Sequence, residues 1–132
     1  MKPGAGIIIV RQIHEKTKVL ALIARDGVMD IPKGIIDPGE SSLEAALRET
    51  KEEAGITNLN FVWGNKSVIS GDMTCYVAQT TQDPVITPHP HTLVVEHIDS
   101  QWVDWDVLEE NTYAFLKPCI KWAKKIVAST VL

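Results

Sequence analysis

The sequence predicts an α+β fold, an α/β/α sandwich around a central mixed β-sheet. Three observations predict it. Stretches rich in Ile, Val and Leu lie on both sides of a central helix-forming segment. That segment opens on a capping sequence and stops at a glycine. A second segment with helical periodicity closes the chain. Strands, helix, strands, helix in that order fill layers around one sheet.

Residues 4–13 read as a strand and residues 19–24 as its partner, joined by the polar turn His14-Glu15-Lys16-Thr17-Lys18. Asp26-Gly27 marks the next turn, and Met29-Asp30-Ile31 is a short strand stopped by Pro32. Residues 33–40 hold two glycines and a proline, so a loop is expected. Ser41-Ser42-Leu43-Glu44 then places a hydroxyl cap three residues before a glutamate, and a helix runs to Ala54 with Gly55 as its stop. Residues 59–63 and 73–79 are strand-like, with Gly71-Asp72 as a turn between extended stretches. Residues 80–92 hold three prolines and two histidines and read as an irregular loop. Residues 93–104 are strand-like and residues 106–110 form a short helical turn. The last helix starts near Pro118 and carries Ile120, Ala123, Ile126 and Val127 at helical spacing.

The 132 residues fit one domain, 1–132, and 45% hydrophobic residues suffice for its core. The formal net charge of -4 argues against a general binder of nucleic-acid backbone. Polyphosphate substrates stay open, because bound cations can supply positive charge. Cys75 and Cys119 lack a CxxC partner and read as reduced, packed thiols with no disulfide-linked partner. The apolar run Ile7-Ile8-Ile9-Val10 stops at Arg11, too short for a signal-peptide core or a membrane span. A soluble, cytoplasmic protein without a membrane partner is the expectation.

The chemistry concentrates in GIIDPGESSLEAALRETKEEAGI, residues 34–56. At helical spacing, Leu43, Leu47, Thr50 and Ala54 share one sector, which suits a buried face. Glu49, Glu52 and Glu53 gather on nearly the opposite side, with small Ala45 beside them. Two carboxylates about 4 Å apart repel by ~4 kcal/mol at an effective dielectric near 20. Such a cluster calls for a cation, and an all-oxygen set suits Mg2+, Mn2+ or Ca2+ better than zinc. A solvated acidic helix face is the bland alternative for three glutamates taken alone.

The flanking residues change that balance. Gly34, Glu40, Arg48, Glu49, Glu52, Glu53, Gly55 and Ile56 match the Nudix signature G-x5-E-x7-R-E-U-x-E-E-x-G-U, where U is a bulky aliphatic residue. Thr50 at a U position is the one departure. The strand pattern around the box is also similar to that family's α/β/α sandwich. The resemblance implies a hydrolase in which water cleaves a phosphate–phosphate linkage, with Mg2+ (or Mn2+) as cofactor. It implies metal binding by Glu49, Glu52 and Glu53 and by the Gly34 carbonyl, with Glu96 as a further candidate ligand. Arg48 would orient the cluster through ion pairs, for which the helix offers Glu52 and Glu44. Glu40 would brace the loop, and Gly55 ends the helix. The general base would be a box glutamate or a carboxylate from later in the chain, for which Glu96 is the candidate. Lys33 would meet a substrate phosphate, with Arg25 and Arg11 as possible helpers.

The lead-in PKGIIDPGE and the phrase RETKEEAGI resemble the dinucleoside tetraphosphate hydrolases of that family. A dinucleoside polyphosphate such as diadenosine tetraphosphate is therefore the expected small-molecule substrate. Nucleoside triphosphates, RNA 5′ ends and inositol pyrophosphates are the alternatives, and a non-catalytic nucleotide-binding module is a third reading. Tyr76 stands for the tyrosine that group carries downstream of its box, and Trp63, Trp102 and Trp105 are further candidates to stack on a base. The proline marker of ADP-ribose hydrolases is absent near Asp72. His89 and His91 would sit in a lid-like loop over a nucleotide.

Overall fold

A computed structural model describes residues 2–86 and 96–129. Among these residues, seven strands form one mixed sheet: β1 (Gly4–Ile13), β2 (Lys16–Ala24), β3 (Met29–Asp30), β4 (Lys33–Ile35), β5 (Ser67–Ser70), β6 (Met73–Gln79) and β7 (His97–Val103). Helix α1 (Ser42–Ala54) follows β4, while α2 (Trp105–Asn111), a 3-10 turn at Ala114–Leu116 and α3 (Lys117–Ala128) follow β7.

The sheet runs β3-β2-β1-β6-β5, with β4 also pairing β1 and β7 also pairing β2. β1 and β6 are parallel and the other ladders antiparallel, so the sheet is mixed as expected. Alternation along β1 sends Ile7 and Ile9 to one face and Ile8 and Val10 to the other. Ile7 and Ile9 pack with Ala45, Ala46 and Ala54 of α1. Ile8 and Val10 pack with Leu108 of α2 and with Cys119, Ile120 and Ala123 of α3. Helices therefore cover both faces, which makes the α/β/α sandwich.

Several elements differ from their sequence reading. The β1–β2 turn has two residues, His14 and Glu15, both with positive φ (50° and 65°). That tight turn lets Lys16, Thr17 and Lys18 pair with Ile13, Gln12 and Arg11 instead of forming a loop. Lys33–Ile35, expected within a loop, is a strand against Gly4, Ala5 and Gly6. A Cβ at residue 6 would lie 2.6 Å from the Pro32 carbonyl oxygen and 2.7 Å from Lys33 Cβ, so glycine there admits the new strand. Residues 59–63 form no strand beyond a single bridge from Asn60 to Gln79. Leu59 and Phe61 are apolar because they pack at the margin of the α1-side core. Of residues 93–104, the described part carries β7 from His97 onward.

Helix α1 begins as expected. Ser41 accepts from the Glu44 N–H, and Glu44 accepts from the Ser41 N–H. Gly55 closes it in the left-handed conformation at φ 67°. Its buried face, however, is turned by roughly a quarter of a circle from the expected stripe. Leu47 is 38% exposed, whereas Ala45, Ala46, Glu49, Thr50 and Ala54 are buried. Small alanines seat the helix closely on β1, and Ala45 is core rather than ligand space. The rotation carries Glu49 and Glu53 inward, toward β4.

Candidate active site

A cleft of about 460 Å³ opens between α1 and β4. Lys33, Gly34, Ile35 and Asp37 form one wall, Arg48, Glu49, Glu52 and Glu53 the other, and Glu96 closes one side. The cleft thus brings together five carboxylates and two cations.

Arg48 organises the helical side. Its Nε donates to Glu40 Oε2 at 2.8 Å and its Nη2 to Glu40 Oε1 at 3.0 Å. Nη1 reaches Glu49 at 2.8 Å and Glu52 at 3.3 Å, and Nη2 also donates to the Ile35 carbonyl at 2.9 Å. Asp37 stands 3.4 Å away. These carboxylates hold the guanidinium pKa well above its ordinary value, the Glu40 hydrogen bonds foremost. Reciprocally, Arg48 holds the Glu40 carboxyl below the usual range, helped by the Asp37 N–H. Glu40 braces the turn Asp37-Pro38-Gly39-Glu40, where Gly39 takes φ 81° and the Glu40 N–H donates to the Asp37 carbonyl. Glu44, offered by helical spacing as an Arg48 partner, is occupied in the capping box instead.

Glu49 and Glu53 lie side by side. Burial, then the hydrogen bond that protonated Glu53 donates to the Glu49 carboxylate and the charge of Glu49, push the Glu53 carboxyl up to about 10, with Glu96 and Asp30 adding to the repulsion. Glu53 also accepts from the Lys33 N–H at 3.3 Å. One ligand atom each from Glu53, Glu96 and His97 falls within 4.8 Å of the others. A Cβ at residue 34 would lie 2.2 Å from the Glu49 carboxyl carbon, so the backbone there forms a cradle against the carboxylate. A crowded set of oxygen donors with a raised carboxyl pKa, facing a bare backbone, fits a hard divalent cation.

Lys33 faces the cluster, but its ammonium is paired with Asp30 at 3.0 Å. Asp30 also accepts from the Ile31 N–H at 2.8 Å and lies 3.1 Å from His97 Nε2. Burial opposes the Asp30 charge. The His97 hydrogen bond and the Lys33 charge outweigh it and hold the carboxyl below the ordinary range. Lys33 Nζ also lies 5.4 Å from the Tyr113 ring centroid and 6.0 Å from that of Phe115. Those two rings are exposed and stacked, 5.8 Å apart at an interplanar angle of 18°.

The expected site residues divide accordingly. Gly34, Arg48, Glu49, Glu52, Glu53, Glu96 and Lys33 meet at the cleft, and Glu40 braces it from behind. Arg25 does not line it; it is exposed at the turn between β2 and β3. Arg11 is also elsewhere, paired with Asp83 at 3.1 Å and lying over the Trp102 ring. Tyr76 is buried on the α1 side with its hydroxyl 2.5 Å from Ser42 Oγ, so its ring is packed rather than offered to a base. Trp63, Trp102 and Trp105 pack against the two cores. His89 and His91 lie outside the described residues. The sequence reading passed over Asp30, His97, Tyr113 and Phe115. Asp30 carried a signal in the DIPKG lead-in. The other three reach the site only through the return of β7 and the turn before α3.

The Nudix domain family matches residues 2–123. Asymmetrical bis(5′-nucleosyl)-tetraphosphatase of Caenorhabditis elegans is 47% identical over 56 residues, 41% of this chain and 41% of the relative. The enzyme of that name from Sus scrofa is 72% identical over 61 residues, 40% of this chain and 42% of the relative. The matches thus span about two fifths of the length of these relatives. Among solved structures, the binary complex of the C. elegans Ap4A hydrolase superposes with a TM-score of 0.77 at 26% identity, covering 96% of this chain and 98% of that one. A box with its full set of glutamates, folded on a sandwich of this topology and matched over nearly its whole length, leads to one conclusion: this chain belongs to the Nudix family.

Proposed function

We propose that this protein is a metal-dependent hydrolase of the pyrophosphate linkage in a nucleoside polyphosphate, with a dinucleoside polyphosphate such as diadenosine tetraphosphate as substrate. The observation that carries this reading is the crowding of Glu49, Glu52, Glu53 and Glu96 around one open cleft with Lys33 on its far wall. The names of the tetraphosphatase relatives support the choice of substrate.

A divalent cation held by Glu49, Glu52, Glu53 and the Gly34 carbonyl, Mg2+ or Mn2+, would polarise a phosphoryl oxygen and acidify water. The chain's own residues do the rest. Arg48 fixes the orientation of Glu49 and Glu52 through its hydrogen bonds. Lys33 places positive charge beside the phosphate chain from the opposite wall. Glu96 is exposed at the cleft and accepts the proton of the attacking water. Tyr113 and Phe115 offer an exposed aromatic surface beside Lys33 for a base at the end of the phosphate chain.

The test is a panel of substrates with purified protein and Mg2+: diadenosine tetraphosphate, nucleoside triphosphates, 5′-triphosphorylated RNA and inositol pyrophosphates, with products separated by chromatography. Preferred cleavage of the dinucleotide is the expected result, and triphosphates strongly preferred over it would overturn the substrate. Glu52→Gln is expected to abolish turnover. No turnover of any panel member by the wild type would leave a binding module instead.

A further inference from the structure

The Lys33 side chain reaches the cleft on a stem of four carbons, and a lysine so placed normally samples many rotamers. Here three observations restrain it. Its ammonium donates to Asp30 Oδ2 at 3.0 Å. The same Oδ2 lies 3.1 Å from His97 Nε2, and Oδ1 accepts from the Ile31 N–H at 2.8 Å. Asp30 itself is 4% exposed, so its carboxylate is held from three directions with almost no water.

These partners come from separate strands. Asp30 pairs with Leu22 and His97 with Ala24, both on β2, and a register shift separates Ile23 from Ala24. The irregularity falls where His97 enters β7, beside Asp30. Lys33 follows one turn of chain later, on β4.

We propose that Asp30 is a positioning residue: it holds the Lys33 ammonium at the cleft wall, leaving two N–H donors for a substrate phosphate, and His97 holds Asp30. This rests on the hydrolase reading above and deepens it. Two effects of Asp30 oppose one another. Its negative charge weakens the pull of Lys33 on an anion, while its hydrogen bond removes the rotamer freedom that phosphate binding would otherwise have to freeze. A fully restrained lysine side chain is worth on the order of tenfold or more in affinity. The inference is that restraint outweighs charge.

The experiment measures binding of methylenediphosphonate, a non-hydrolysable pyrophosphate analogue, by calorimetry with Mg2+ present. Asp30→Asn, Lys33→Met and the double variant are compared with wild type. Asp30→Asn is expected to weaken binding about tenfold, and to have less than a twofold effect when added to Lys33→Met. A merely structural role would give equal losses in both backgrounds and overturn the proposal. Tighter binding by Asp30→Asn would also overturn it, because charge would then dominate. If Asp30→Asn does not fold, His97→Leu provides the second arm: several-fold weaker binding is expected, restored by His97→Gln. Unchanged binding by His97→Leu would contradict the proposal. Hydrolysis of diadenosine tetraphosphate by wild type is followed alongside. Wild type that binds the analogue but leaves the dinucleotide intact sinks the substrate reading alone. Asp30→Asn that binds like wild type sinks this inference alone.

Discussion

Gly34 and Glu49 are in contact across the cleft, so closely that any side chain at residue 34 would occupy the space of the Glu49 carboxylate. A glycine on β4 and a glutamate on α1, fifteen positions apart, thereby set the distance between the two walls. Gly34→Ala is expected to displace the Glu49 carboxylate and cut turnover by about 100-fold or more. Overpacking of this kind costs roughly 1–3 kcal/mol of stability. Turnover and denaturant unfolding of the variant check both halves. Unaltered turnover would mean that the close approach is dispensable.

Arg48→Lys tests the planar fork. Lysine keeps the charge but cannot bond Glu40 with two parallel N–H groups while also holding Glu49 and the Ile35 carbonyl. Residues that orient metal ligands typically matter by about 10–100-fold in metal affinity or activity. A loss in that range is expected, measured as kcat/KM at saturating and limiting Mg2+.

The pH dependence follows from Glu53. In metal-free folded protein this carboxyl keeps its proton up to about pH 10, whereas its ordinary value is 4.5. Between those two values the folded chain holds a proton that the unfolded chain has released. The stabilisation from this group is therefore complete below pH 4.5 and is lost as pH rises toward 10. Urea midpoints in EDTA should fall across that range relative to Glu53→Gln. Saturating Mg2+ should reduce the difference, and metal binding at pH 8 should release protons in calorimetry run in two buffers. Proton release equal in wild type and Glu53→Gln would place the proton elsewhere.

Tyr113→Ala and Phe115→Ala are expected to raise KM for a nucleoside polyphosphate. Stacking of a base on an aromatic ring is worth ~1–3 kcal/mol, so the rise should be roughly 5–150-fold. Binding of methylenediphosphonate, which has no base, should stay within twofold. Equal losses for both ligands would show that the rings act through Lys33 rather than on a base.

Much of the site is local in the chain, and that part was legible. The capping box, Gly55 and the spacing of Arg48, Glu49, Glu52 and Glu53 all lie within one helix, where 3.6-residue geometry relates sequence to space. Strands β1 and β6 were legible too, as local runs of strand-forming residues. The rotation of α1 was not: Leu47 looked like core, yet the sheet accepts alanines and leaves Leu47 outside. β4 was hidden because its partner is β1, and the pairing needs Gly6 to make room. Asp30 stands only three residues before Lys33, but His97 reaches Asp30, and Tyr113 and Phe115 reach Lys33, through long-range packing, which no short window of sequence encodes. Tyr76 misled because an aromatic in a strand fits a core as readily as a base.

The central claim is that the glutamates of α1 gather a divalent ion at the cleft. Titration of Mn2+ into wild type, Glu49→Gln and Glu53→Gln, followed by the electron paramagnetic resonance signal of free Mn2+, tests it most directly. Saturable binding to wild type, weakened about tenfold or more in each variant, is the expected result. Equal binding by all three proteins, or none by wild type at millimolar Mn2+, would contradict it.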